Sequence, residues 1–526
     1  MSAVDRELDL VRSSRATLHW LLRGTAVVCA VLSLAQAATV GGPVGAFALP
    51  VLLHALVVLV GVEVSRATRT GLRVDGLTLF LGWEVLRGDV APVIIQWFGS
   101  GTNFFWRPGT HGDATLVLFL GLAFAVSVVV TRAAVGGLAH AARRGRAGGR
   151  AAGAAGLVRV PALVTGSAPV RVFIVLGLVG LVLRFPDVAS VQSFLSGDID
   201  GLQGNDVVPK GPITFLGELT RPLLFLGLAM AIRARHRAAR TWWWIVPLLL
   251  GSIVFALGSY GLRRAPMAFA VIALALLLAD RGTKRLRLGP SVLVVALLGA
   301  FFVTAGTLRS TLWLERTGLE APEVGLVPMM QSALVYAADP MQLSGAMPWA
   351  DANAAFGLRT FVLTLLGPVP GIPDAWRLES GVALFNHAVY HSFVGRDQLV
   401  PPWFEGYLSF GLTGVLVVGL VSGVLIACSD GLRTRNRTVP GSYAAATIAL
   451  WVTQPGIVGS YSILQNVLYY ALPPLVVVGV AGLFRRQGPG APIGASVPVS
   501  DVDHAPTPTP MPTHQLEHPL PERSIR

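Results

Sequence analysis

Runs of about twenty apolar residues recur along this chain, and they constrain it more than any motif does. A helix needs about 20 such residues to cross the hydrocarbon core of a bilayer. Backbone in that core must satisfy its own polar groups, which favours helices. The clear runs are 24–42, 43–64, 115–131, 170–184, 211–232, 241–260, 265–280, 289–308, 404–428, 441–460 and 463–484. A weaker run, 74–98, is interrupted by Glu84, Arg87 and Asp89. Of the 526 residues 53% are hydrophobic and 13% charged. A soluble domain carries roughly 25% charged residues, so an ordinary cytosolic enzyme is excluded. A disordered chain needs the opposite balance. The first run follows a charged stretch, lacks a small-residue cleavage site and is followed by further runs, so it reads as a span rather than a cleaved signal. The expectation is an all-α polytopic membrane protein.

The net charge is +13 and nearly all of the basic residues are arginine; Lys210 and Lys284 are the only lysines. Such an excess suits nucleic acid or the cytoplasmic loops of a membrane protein, and position decides between them. Arginines cluster at 6–23, 66–73, 132–159, 233–240, 281–287, 433–437 and 485–486. All of these fall on one side only if 74–98 also crosses. That parity gives about twelve spans with both termini cytoplasmic, and nucleic acid is not needed to explain the charge. The Ala, Gly, Val and Arg usage is that of high-GC bacteria. Residues 1–486 form the membrane domain, with one large external loop at 309–403. Residues 487–526, with alternating prolines from Pro506 to Pro512, read as a disordered cytoplasmic tail. Cys29 and Cys428 lie in apolar runs and offer no disulfide framework.

Some charges are not explained by orientation. Arg263 and Arg264 sit at an external turn, Arg309 and Arg316 open the large loop, and Arg359, Arg377 and Arg396 lie within it. A guanidinium fork grips phosphate through two parallel hydrogen bonds and keeps its charge. These arginines therefore suit a lipid-linked pyrophosphate, or equally phospholipid head groups. Glu218 and Arg221 stand three apart on one helix face, as a functional intramembrane pair or a self-neutralising one. Glu84, Arg87 and Asp89 make 74–98 polar enough to line a cavity or break the helix.

The stretch 381–411 is the richest in chemistry. His387 and His391 are four apart and share a helix face, but no third zinc ligand stands at a recognisable spacing. A neutral imidazole is also a competent general base. Glu405 opens the span after Pro401, Pro402 and Trp403, either as an ordinary helix start or as a base for a hydroxyl. Trp376, Tyr390, Phe393, Trp403 and Tyr407 suit sugar stacking or an interfacial aromatic belt. The chain has no Walker A loop, dinucleotide fingerprint or HExxH helix, so ATP-driven transport is not expected.

Residues Pro402 to Val415 read Pro-Trp-Phe-Glu-Gly-Tyr-Leu-Ser-Phe-Gly-Leu-Thr-Gly-Val. This resembles the Glu-x-Tyr-x-x-Phe-Gly-x-x-Gly pattern that closes the large external loop of Wzy-type oligosaccharide repeat-unit polymerases. The Arg263-Arg264 pair is similar to an Arg-containing segment midway along that family, and the layout of spans matches. The resemblance implies a glycosyltransferase C-like architecture within the O-antigen polymerase and ligase superfamily. It implies transfer of an undecaprenyl-pyrophosphate-linked glycan to a sugar hydroxyl of a second lipid-linked repeat, on the outside of a bacterial cytoplasmic membrane. It also implies that no metal, nucleotide or other cofactor is required. Arg263, Arg264 and Glu405 carry over by matched position. His391, Arg309 and Arg396 are added by location, with Glu218, Arg221 and Tyr407 around them. The implied partners are lipid-linked oligosaccharide, membrane lipids, a polysaccharide flippase and a chain-length regulator. A ligase-like transferase shares the layout. A secondary transporter or flippase would instead show charges at mid-depth and broken helices, and a non-catalytic scaffold would show neither.

Overall fold

The structure is a computed structural model that describes residues 3–68, 70–100, 109–147, 175–179, 272, 276, 325–334, 337–353, 356–369, 372–390, 400–436 and 438–477. Among the described residues there are helices and turns but no β-strand. They all lie within the first of two compact units, Met1–Ala481, and the tail lies outside them. The expected spans at 170–184, 211–232, 241–260, 265–280 and 289–308 fall outside the described residues, apart from 175–179, 272 and 276.

Among the described residues four helices are long and apolar enough to cross a membrane: Ser13–Thr39 within α1 (Ala3–Thr39), α3 (Ala48–Ala67), His111–Leu138 within α6 (His111–Ala147), and Pro402–Arg435. A short helical turn, α2 (Gly42–Gly45), joins α1 to α3. Their outward faces carry Val27, Val28, Val31, Val60, Val130, Val417, Leu420 and Val421, all exposed and apolar, as a lipid-facing surface requires. The chain is a helical membrane protein.

The weak run 74–98 forms one continuous helical rod: α4 (Gly76–Glu84), a π-helical turn π1 (Val85–Val90) and α5 (Ala91–Phe98). Asp75 caps it by accepting the Thr78 amide at 2.8 Å. Pro92 has no N–H to return to the Gly88 carbonyl, and the ladder widens just before it. Side-chain pairs fix the direction of the rod. His19 of α1 meets Thr78, and Ser33 of α1 meets Gln96. Fourteen residues of α1 rise about 21 Å, so the rod runs beside α1 through most of the bundle's depth. In α3 Ser65 meets Asp75 and His54 meets Glu84, which makes α3 antiparallel to the rod. The rod is thus parallel to α1 and antiparallel to α3.

One end of the bundle is basic. There Arg15 pairs with Asp75 at 3.5 Å, and Asp430 accepts from Arg132 at 2.9 Å and from the Gly76 amide at 2.7 Å. Arg433 lies 3.7 Å from the same carboxylate. Arg15, Arg132 and Arg433 are buried. Arginines read from sequence as loop charges are here locked inside the bundle by partners. Glu63 is exposed and pairs with both Arg23 and Arg66.

At the opposite end sit, among the described residues, six short helices from the large loop: α7 (Leu326–Leu334), α8 (Pro340–Ser344), α9 (Met347–Asn353), α10 (Leu358–Leu366), α11 (Asp374–Leu378) and α12 (Gly381–Tyr390). They are too short to span. The Gly109 amide donates to the Met341 carbonyl at 3.0 Å, and Gln331 donates to the Phe98 carbonyl at 2.7 Å, so the loop is seated on the ends of α6 and the rod.

Asp339 caps α8 by accepting the Met341 amide at 2.8 Å. Burial raises its carboxyl pKa to about 6, against the pull of that backbone bond. A raised carboxyl pKa means that the folded loop binds more protons than the unfolded one between about pH 4 and pH 6. Loop stability is therefore expected to fall as pH rises through that window. Hydrogen exchange at 337–345 should speed up accordingly, and Asp339→Asn should flatten the dependence.

Candidate functional site

Three residues of the rod and one of α3 meet inside the bundle. At 3.6 residues per turn, position 89 would lie about 140° around an α-helix from position 84. The wider π turn brings Glu84, Arg87 and Asp89 to one side, where all three are buried. His54 stands between the carboxylates, with Nε2 3.3 Å from Glu84 and Nδ1 3.2 Å from Asp89. Arg87 pairs with Glu84 and donates to the Gly121 carbonyl at 3.1 Å. Its guanidinium also lies 5.2 Å from the centre of the Trp403 ring, a cation–π contact. Glycine makes the room. A Cβ would strike the His54 ring at Gly88, Arg87 at Gly121 and Glu84 at Gly456.

Trp403 brings the C-terminal part of the chain to this cluster. It stacks on Phe124 of α6 at 6.3 Å and donates from Nε1 to the Gly456 carbonyl at 3.2 Å. Phe124 lies about 20 Å along α6 from His111, so Trp403 sits well inside the bundle. Helix α13 (Pro402–Arg435) is not straight. Gly411 has φ 62° and ψ −151°, a conformation held essentially by glycine alone. Gly406 and Gly414 then touch backbone to backbone. Residues 402–410 form a separate arm, and the spanning part begins at Leu412. It descends beside α6 through Ser127–Leu416 and Arg132–Asp430 contacts.

The expected span opening at Glu405 is thereby corrected: the reversal at Gly411 places Glu405 on the arm that precedes the span. Glu405 is buried, and the Ser460 hydroxyl and amide lie beside its carboxylate without reaching full hydrogen-bond geometry. Tyr407 is half-buried and stacks on Phe404 at 6.2 Å. The expected span 441–460 is also modified. Helix α14 (Val439–Val452) ends early, 453–459 is non-helical, and helix resumes with α15 (Ser460–Asn466) and a second π turn, π2 (Val467–Ala471). Non-helical backbone at this depth is tolerated where it is buried in protein, and Gly456 and Gln454 are buried.

Of the other expected site residues, Arg263, Arg264, Arg309, Arg396, His391, Glu218 and Arg221 lie outside the described residues. His387 is on α12 with its ring 5.7 Å from Trp349. Among the described residues no group of three His, Cys, Asp or Glu side chains is arranged to hold a metal ion. Sequence reading found Glu84, Arg87 and Asp89 but not His54. Its signal was an ionisable residue inside an apolar run, which is grounds for suspicion by itself.

No family model, curated protein or solved structure matches this chain. Its function is therefore argued from these residues and from the motif at 405–414.

Proposed function

We propose that the chain is a membrane glycosyltransferase that polymerises undecaprenyl-pyrophosphate-linked oligosaccharide repeats at the non-cytoplasmic face of the bacterial cytoplasmic membrane. The observation that carries this reading is Glu405. It is the carboxylate of the polymerase-like motif, it is buried, and the donors beside it, the Ser460 hydroxyl and amide, fall short of full hydrogen-bond geometry. A buried carboxylate in that condition is costly unless something donates to it. A sugar hydroxyl of the acceptor repeat would donate to Glu405, which takes that proton as the oxygen attacks the anomeric carbon. The pyrophosphate of the donor leaves, held by Arg263, Arg264, Arg309 and Arg396, with His391 as a further proton acceptor. The motif glycines support this reading physically, because Gly406, Gly411 and Gly414 build the reversal that presents the arm. The basic end is the cytoplasmic one in this orientation. A polysaccharide flippase would supply the substrate and a chain-length regulator would act on the product.

The test is surface polysaccharide length in cells carrying Glu405→Gln. General-base removal costs about 10²–10⁴-fold, so single repeats are expected in place of long chains, with the variant inserted normally. Wild-type chain length would overturn the assignment. A transporter or lipid-linked glycan flippase is the second reading, favoured by the charges beside Trp403 and the unwound 453–459. It predicts lipid-linked repeats trapped on the cytosolic face in the same cells.

A further inference from the structure

The cluster around His54 is not used by that chemistry, and its charges do not cancel without a proton. Glu84 and Asp89 bring two negative charges and Arg87 one positive charge. A net charge buried in a bilayer-spanning bundle costs several kcal/mol. One proton removes it, and the geometry shows where that proton goes. His54 faces a carboxylate with each ring nitrogen, at 3.3 and 3.2 Å. A doubly protonated ring turns an N–H toward each of them, with the Glu84 contact in hydrogen-bond geometry. The Asp89 contact is close but not aligned as a hydrogen bond, and neither Asp89 oxygen accepts one. Asp89 therefore has spare capacity for the same proton.

We propose that His54, Glu84 and Asp89 form an intramembrane proton-binding site that holds one exchangeable proton, with Arg87 as its fixed counter-charge. Every packed element contributes a boundary. Arg87 comes from the rod, the Cys29 thiol faces Asp89 from α1, and α6 offers the Gly121 carbonyl. Trp403 covers Arg87 from the arm, and Gly456 closes the side of Glu84. Apolar layers separate the site from both ends of the bundle: Ala26, Ala30, Ala55 and Val58 toward the basic end, and Val51 and Val93 toward the other. Beyond them lie further polar groups, His19, Ser65 and Thr78 on one side and Ser33 and Gln96 on the other. The proton thus occupies the middle station of a polar ladder through α1, α3 and the rod. Because Arg87 also rests on Trp403, gain or loss of the proton changes the pull on the arm that carries Glu405.

The test compares the full chain with His54→Gln and with His54→Gln/Glu84→Gln, each in phosphatidylcholine–phosphatidylglycerol vesicles. Infrared spectroscopy reads protonated carboxyl groups. His54→Gln should gain one protonated carboxyl per chain over wild type, since the proton moves to Asp89 or Glu84. The double variant, already neutral, should lose that gain. No gain in the folded single variant, or a gain that persists in the double, would overturn the site. If His54→Gln does not accumulate, nitrogen-15 NMR of labelled histidine in wild type and Glu84→Gln decides. The wild-type chain must show an imidazolium that Glu84→Gln lacks. A signal common to both, or a wild type with neither imidazolium nor protonated carboxyl, overturns the proposal.

Discussion

Arg87→Met is expected to destabilise the bundle by about 3–5 kcal/mol, the cost of leaving one side of a buried ion pair uncompensated. Methionine fits the volume but strips three interactions at once. Glu84 loses its partner, the Gly121 carbonyl loses its donor, and the Trp403 ring loses its cation. The loss should appear as a large drop in melting temperature in detergent. Arg87→Met/Glu84→Gln should recover much of it, because removing both members of a buried pair is far less damaging than removing one. Equal instability of single and double variants would show that Arg87 acts through packing rather than charge.

Gly414→Ala should be nearly as severe. Its Cβ would enter the carbonyl of Gly406, and backbone on both sides leaves nothing flexible to yield. Overpacking of a tight site costs typically 1–3 kcal/mol, and a backbone-on-backbone collision belongs at the upper end. The reversal should open and swing the 402–410 arm away from Phe124. Limited proteolysis would then cut at 400–412, where the wild-type chain is protected. Gly431→Ala is the control on the same helix: nothing lies within 4 Å of its Cβ position. Polymer length should collapse with the arm if Glu405 is the base.

The helical membrane class was legible from the apolar runs, because a bilayer leaves the backbone so few choices. The rod 76–98 was legible from the one-sidedness of arginine, even though its own hydropathy is poor. The π turn was half legible: Pro92 and the polar trio are in the sequence, but the partner His54 is set by the antiparallel packing of α3. The reversal at Gly411 was missed. A glycine in a small-residue stretch looks the same whether it lets helices pack or lets the chain turn, and only φ distinguishes the two. The burial of Arg132 and Arg433 was not legible for a similar reason. The positive-inside rule assigns a side to an arginine and says nothing about whether a carboxylate from a distant helix will bury it.

The Asp430 latch bears on how the protein is made. Asp430 receives Arg132 across 298 residues of sequence and the Gly76 amide across 354. During synthesis the first helices enter the membrane long before Asp430 exists. Until then the latch's guanidinium and amide have no Asp430 carboxylate to receive them, and they depend on lipid head groups or an insertion partner. Chains truncated before 430 keep that deficit permanently.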